Sequence, residues 1–242
     1  MFSALRVSAA SAAAAFRPLA RSFAELIWPP RCAGCREPVE VEPFCPGCAD
    51  ALLDVPSGCA RCGLPGPDPV CGACLASPPA FAAVQAGALF GGPLADAVHA
   101  LKYGGRPSLA RPLGAWLAAR VTLPAGAAIV SVPLARRRRI ERGYDQAGLL
   151  ADELASAAGR GDARLRGVLR RIRETKPQVG RGRGERIRNV KGAFWANGSV
   201  EGREIVLVDD VVTTGATADA ASRALLDAGA SRVAVVALAR AE

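Results

Sequence analysis

Asp209 and Asp210 stand side by side in the chain, and two residues later comes the run Thr213-Thr214-Gly215-Ala216-Thr217. Adjacent carboxylates can accept hydrogen bonds from two neighbouring hydroxyls. Threonine hydroxyls, and backbone N–H groups freed by a glycine at the start of a helix, suit a phosphate monoester. Together these groups describe a site for a phosphorylated sugar, with phosphate in the turn and sugar hydroxyls against the acids. The β-branched run Ile205 to Val208 predicts a strand buried on both faces. The aspartates are expected where that strand ends, at the edge of an open α/β sheet where ligands collect. An Ala/Leu-rich helix over 216–228 follows the turn. Two other phosphate signatures do not apply: no Gly-x4-Gly-Lys-Ser/Thr occurs, and Gly180-Arg-Gly-Arg-Gly184 lacks a preceding apolar strand.

A second chemistry lies upstream. All eight cysteines fall between residues 32 and 74 as four Cys-x-x-Cys pairs: Cys32/Cys35, Cys45/Cys48, Cys59/Cys62 and Cys71/Cys74. Two thiolates on one tight turn can reach a single ion, and paired turns of this kind suit tetrahedral zinc. Gly34, Gly47 and Gly72 sit inside or beside the turns. Consecutive sets would hold two ions, one in Cys32 to Cys48 and one in Cys59 to Cys74. An interleaved arrangement, in which the first and third pairs share an ion, satisfies the spacing equally. A disulfide framework competes and belongs to secreted chains. No His or carboxylate is placed among the thiols as a ligand, so the zinc is expected to be structural, substituting for a core that so short a segment can barely build.

These sites set the organisation of a 242-residue chain, half of it hydrophobic, with net charge +9. The positive charge is local: residues 136–191 hold 17 Lys/Arg against 7 Asp/Glu. Residues 1–27 read as a short lead-in helix in preference to a transit peptide, with Leu19, Phe23 and Leu26 or Ile27 at helical spacing before Pro29-Pro30. A membrane span, needing about 18 apolar residues in a row, is not expected. A zinc ribbon is placed at 28–80 and an α/β domain at 81–242. Within the latter, strands are expected at 81–90, 128–132 and 233–238, and a helix over 94–103 that carries Lys102 at its end. Arg136 to Arg139 form a basic turn ahead of a second helix that stops at Gly159. The Arg- and Gly-rich stretch from Arg173 to Arg188 reads as a mobile segment.

Residues 205–217 closely resemble the 5-phosphoribosyl-1-pyrophosphate (PRPP) loop of type I phosphoribosyltransferases. The resemblance implies that Asp209 and Asp210 hold the ribose 2′- and 3′-hydroxyls and that Thr213, Thr214, Gly215, Ala216 and Thr217 cradle the 5′-phosphate, with Mg²⁺ accompanying the pyrophosphate. Further segments widen the likeness: Ser131-Val-Pro-Leu134, Arg142-Gly-Tyr-Asp-Gln146, Thr175-Lys-Pro-Gln178 and Arg188-Asn-Val-Lys-Gly-Ala-Phe194. With the loop and the four cysteine pairs, they make the chain similar to the ComF family of competence-associated proteins, specifically its ComFC-like members, from about residue 26 to the C-terminus. Tyr144-Asp145 departs from the Phe-Asn the family commonly shows.

The resemblance implies a type I phosphoribosyltransferase-like, mostly parallel sheet flanked by helices, with a small N-terminal double zinc ribbon, in the reducing cytoplasm. It also implies a link to DNA uptake in natural transformation, with single-stranded DNA and competence or helicase machinery as partners. For the pyrophosphate, Lys102 and Arg136 are the expected contacts. Arg142, Tyr144, Gln178 and Arg188 are candidates for a lid or for nucleic acid, and Tyr103, Tyr144, Phe194 and Trp195 for stacking on single strands. No acceptor pocket is legible. Pentosyl transfer to some acceptor therefore stands beside a non-catalytic reading, a nucleic-acid-binding or adaptor protein that keeps a PRPP-sensing site.

Overall fold

The computed structural model describes residues 29–173 and 192–241. The lead-in helix expected at 1–27, and the candidates Gln178 and Arg188, lie outside the described residues. Four parallel strands form the central sheet: β1 (Val84–Leu89), β2 (Ala128–Ser131), β5 (Glu204–Val212) and β6 (Arg232–Arg240), in the order β1-β6-β5-β2. Their registers run Val84 with Val235, Val208 with Val236 and Ser131 with Val208. All four strands point the same way, so their C-terminal ends share one edge. A short antiparallel pair, β3 (Leu169–Arg171) and β4 (Phe194–Ala196), stands apart from this sheet.

Alternation along β5 sorts its side chains between two apolar layers. Val206 and Val208 join Leu94 and Leu101 of α3 (Gly92–Tyr103), Leu113 and Leu117 of α4 (Ala110–Ala118), and Leu150 and Leu154 of α6 (Gln146–Ala157). Ile205 and Leu207 join Leu225 of α7 (Ala216–Asp227) and Phe194 of β4. The cysteine module, which contains α1 (Pro46–Asp50) and α2 (Gly72–Ala76), is shared between these layers. Cys32, Ala33 and Phe44 belong to the α3/α4/α6 layer, while Cys59, Cys62 and Cys74 belong to the α7 layer. Among the described residues no helix is long and apolar enough to cross a membrane.

Two local expectations are corrected, and one helix is added. β5 does not end at the aspartates: pairing with β6 continues to Val212 opposite Arg240, so Asp209 and Asp210 lie within the strand. The basic turn is a helix, α5 (Arg136–Arg142), closed by Gly143 in the left-handed conformation. Arginine is a good helix former, and four in a row hid a helix that has no buried face to announce it. Helix α4 escaped notice because Pro112 and Gly114 break its pattern. The proline falls in the first turn, where its missing N–H costs little, and Gly114 lets α4 meet α6, since a Cβ there would stand 2.6 Å from Glu153 Cβ.

Candidate functional site

Neighbours on a strand point to opposite faces, and the two aspartates accordingly meet different environments. Asp210, 5% exposed, turns toward α3 and α6. Its Oδ1 lies 2.7 Å from Lys102 Nζ, and its Oδ2 accepts a hydrogen bond from Gln146 Nε2 at 2.9 Å. Asp209 is half-buried on the other face, with Oδ1 accepting from the Asp210 N–H at 2.8 Å. Burial, and then the charge of Asp210, push its pKa up to about 8 against the opposing pull of Lys102 and the Asp210 N–H. Beyond β5, Gly215 takes φ +76°, a left-handed conformation suited to glycine, and α7 begins at the next residue. Gly215 has no side chain to cap that helix, and the Ala216 N–H reaches only Thr214 Oγ1 at 3.4 Å. The loop thus presents helix-start N–H groups and threonine hydroxyls one short turn from the two acids.

A basic wall stands beside the acids. Lys102, Arg138 and Arg142, set against the single acid Glu141, line a cavity of about 410 Å³ together with Tyr103 and Tyr144. The Arg142 guanidinium lies 4.7 Å from the centre of the Tyr103 ring, which is 72% exposed. The Tyr144 hydroxyl donates to the Leu101 carbonyl at 2.6 Å, which fixes α6's approach to α3. Asp145 caps α6 by accepting from the Gly148 N–H at 3.2 Å, and burial raises its pKa despite that bond. An acceptor is all this position needs, so aspartate serves where the resemblance pointed to asparagine.

The thiols form two compact groups, Cys32/Cys35/Cys45/Cys48 and Cys59/Cys62/Cys71/Cys74, each with its sulfurs within 4.8 Å of one another. Cys35 Sγ lies 3.7 Å from Cys45 Sγ, and Cys62 Sγ lies 3.7 Å from Cys71 Sγ. Tetrahedral zinc with bonds of about 2.3 Å has edges of about 3.8 Å, whereas a disulfide needs about 2.05 Å. The donor sets fit two structural zinc ions in consecutive order, and the interleaved and disulfide alternatives fall away. Burial works against ionising Cys32, yet the N–H groups of Cys45, Cys35 and Gly34 hold its pKa near 6; Cys59 is likewise held near 6 by Cys62, Cys71 and Arg61. One thiol of each group is thus readied as a thiolate ligand.

A family model described as a double zinc ribbon domain matches residues 23–75, and one described as a phosphoribosyl transferase domain matches residues 141–242. The chain is 37% identical over 224 residues to DNA utilization protein YhgH of Salmonella typhi, covering 88% of this chain and 97% of that protein. It is 30% identical over 222 residues to Competence protein F of Haemophilus influenzae, covering 87% and 90%. The chain belongs to the ComF family. Competence protein ComFC of Bacillus subtilis is a further ComF-family relative, 38% identical over 101 residues, or 42% of this chain and 39% of that one.

Within this ComF-family fold, Asp209, Asp210, Lys102 and the loop 213–217 gather at one sheet edge, and Arg142 and Tyr144 border the same edge through the cavity they share with Lys102. Arg136 opens α5 exposed to solvent and is not among that cavity's lining. Of the stacking candidates, Tyr103 and Trp195 keep exposed rings, while Phe194 is core, 6% exposed. Two residues escaped the sequence reading. Gln146 stood inside a quoted motif, directly after the cap of α6, where an amide aimed back at the sheet could have been suspected. Arg240 gave no signal, since a charge ending an apolar strand ordinarily reaches solvent.

Proposed function

We propose that this ComF-family protein binds PRPP with Mg²⁺ at the β5–α7 loop and, in the cytoplasm, handles single-stranded DNA during DNA uptake. The observation that carries the reading is the placement of an uncapped helix start, opened by a left-handed glycine, directly after two carboxylates of unequal environment. In this reading the N–H groups and hydroxyls of residues 213–217 take the 5′-phosphate. The ribose hydroxyls donate to Asp209, which favours its ionised form, so ligand binding below pH 8 releases a proton from it. Lys102, between Asp210 and the basic cavity, is placed to turn toward the pyrophosphate. Bound Mg²⁺ supplies neutralising charge to the pyrophosphate. In transfer, the bond from the anomeric carbon to pyrophosphate oxygen breaks with its electron pair leaving on pyrophosphate, an acceptor's lone pair forms the new bond to that carbon, and nearby carboxylate charge favours the cationic ribosyl group between them. The DNA part draws on the names of the relatives and on the basic, aromatic cavity formed with Tyr103, Arg138 and Arg142.

Ligand sensing without transfer is a second reading, and Lys102 is what favours it. Its ammonium is already committed at 2.7 Å to an Asp210 whose other oxygen is also bonded, an arrangement that needs no pyrophosphate to complete it. Calorimetry of PRPP with Mg²⁺, on wild type and on Asp209→Asn/Asp210→Asn, with and without a single-stranded oligonucleotide, tests the shared claim. Wild type is expected to bind and the double variant to lose PRPP while still binding the oligonucleotide with steep salt dependence. Absence of heat in wild type at millimolar PRPP defeats the proposal. Pyrophosphate released in the presence of an acceptor separates transfer from sensing.

A further inference from the structure

Arg240, the last residue of β6, is 4% exposed, and among the described residues it takes part in no ion pair. A buried cation without an acid is costly unless its N–H groups are all engaged. Here carbonyl oxygens engage Nε and Nη1. Nε donates to the Cys62 carbonyl at 3.0 Å, and Nη1 donates to the carbonyls of Val212 at 3.1 Å, Thr213 at 2.6 Å and Ala241. The planar fork of a guanidinium is what allows one side chain to bridge two separate backbone segments. Those segments are the knuckle of the second tetracysteine group and the first residue of the loop.

The far side of the loop is held from the same part of the chain. The Ala80 N–H donates to Asp219 Oδ1 at 2.6 Å, and Asp219 sits in the first turn of α7. Phe81, 2% exposed, backs Gly215, where an added Cβ would stand 3.3 Å from its Cζ. The first tetracysteine group is tied elsewhere: Cys32 and Ala33 pack in the α3/α4/α6 layer, and a Cβ on Gly34 would stand 2.8 Å from Pro93 Cβ.

We propose that Arg240 is a positioning residue that ties the conformation of loop 213–217 to the second tetracysteine group, so that metal held by Cys59, Cys62, Cys71 and Cys74 sets the shape of the loop while metal at the first group does not. The consequence for binding rests on the phosphate-loop reading above; the conformational tie does not. The test uses the full chain as wild type, Arg240→Lys, Cys71→Ser and Cys45→Ser. Native mass spectrometry counts zinc. Hydrogen exchange is followed at the Asp219 and Ala241 amides, bonded to Gly215 and Val212 carbonyls at 2.8 and 2.9 Å. Calorimetry with ribose 5-phosphate reads the cradle.

Arg240→Lys, a single point donor unable to span both segments, is expected to keep both zinc ions, to exchange about tenfold faster at the two amides, and to bind ribose 5-phosphate about tenfold more weakly. Cys71→Ser should move the same amides; Cys45→Ser should leave them alone. Arg240→Gln carries the same expectation if the lysine variant does not fold. Wild-type exchange at both amides in the Arg240 variant, or an equal response to Cys45→Ser and Cys71→Ser, overturns the proposal. Wild type that gives no heat with ribose 5-phosphate refutes the phosphate-loop reading alone, and the exchange comparison still decides on Arg240.

Discussion

The two faces of the sheet at β5 are finished to different degrees. Toward α3 and α6, Asp210 has a partner on each oxygen, Lys102 on one and Gln146 on the other. Toward α7, Asp209 takes part in no ion pair among the described residues, and burial with a like charge beside it holds its pKa near 8. One residue step along the strand separates a carboxylate paired with a cation from one that accepts only the Asp210 N–H. The lesson is where function is stored: charge pairing is given up on the face that must receive a ligand and kept on the face that must hold the fold. The two tetracysteine groups follow the same division, the first joined to the α3/α4/α6 layer and the second to the layer that backs the loop.

The severest way to probe that division is to remove one metal group at a time. Cys32→Ala and Cys59→Ala each delete a buried thiol from a closed set of four. Each is expected to lose one zinc ion of two and to cost more than about 4 kcal/mol, the range associated with loss of a structural metal. Urea unfolding with zinc analysis checks this. A loss confined to one group, with the other substitution silent, would break the view that both layers lean on metal.

Next in size is Lys102→Ala, which leaves the Asp210 carboxylate buried without its cation. Removing one partner of a buried pair costs about 3–5 kcal/mol, and adding Asp210→Asn should recover part of it, since a neutral amide needs no counter-charge. A denaturant double-mutant cycle that shows no coupling would remove Asp210 from the satisfied face.

Much of this arrangement was legible in residue order, and the misses have a common cause. A continuous β-branched run and cysteine spacing are local signals, so the buried β5 strand, the turn after it and the four metal-binding cysteine pairs could be read directly, while the grouping of those pairs into consecutive sets could not. The extension of β5 through Asp209 and Asp210 depends on pairing with β6 out to Arg240, a partner 28 residues away in sequence from Val212. The opposite fates of the aspartates likewise require knowing that Lys102 and Gln146 meet on one side only. Arg240 illustrates the limit most sharply: its partners, Cys62 and Thr213, lie 178 and 27 residues away, and nothing near it in sequence distinguishes it from a solvent-facing strand end.

A moderate effect is expected at Asp209, with a sign that distinguishes it from Lys102. Because its folded-state pKa is raised from 3.8 to about 8, the folded protein retains a proton that the unfolded chain gives up between those values. Stability from this group is complete below pH 4, falls as pH rises toward 8, and is fully lost above it. Asp209→Asn should therefore leave stability near pH 4 unchanged and raise it at pH 8.5 by about 1–2 kcal/mol, while abolishing PRPP binding. Melting curves at the two pH values check the stability arm. A variant less stable than wild type at pH 8.5 would mean that Asp209 is satisfied after all, and the contrast between the faces would fail.

The smallest change sharpens the contrast most. Asp145 caps α6 and adds to the charge that raises the Asp209 pKa. Asparagine accepts the Gly148 N–H as well as aspartate does, so Asp145→Asn should alter stability by less than about 0.5 kcal/mol at neutral pH. It nevertheless removes a negative charge from the neighbourhood of Asp209, whose proton is then released more easily, and the pH at which Asp209 ionises should fall. The proton released on PRPP binding, measured by calorimetry in buffers of different ionisation enthalpy, should consequently shrink at pH 7 and its profile move to lower pH. An unmoved profile would place Asp145 with the structural caps alone. A shifted one would extend the receptive face across the sheet edge, from the β5 acids to the start of α6.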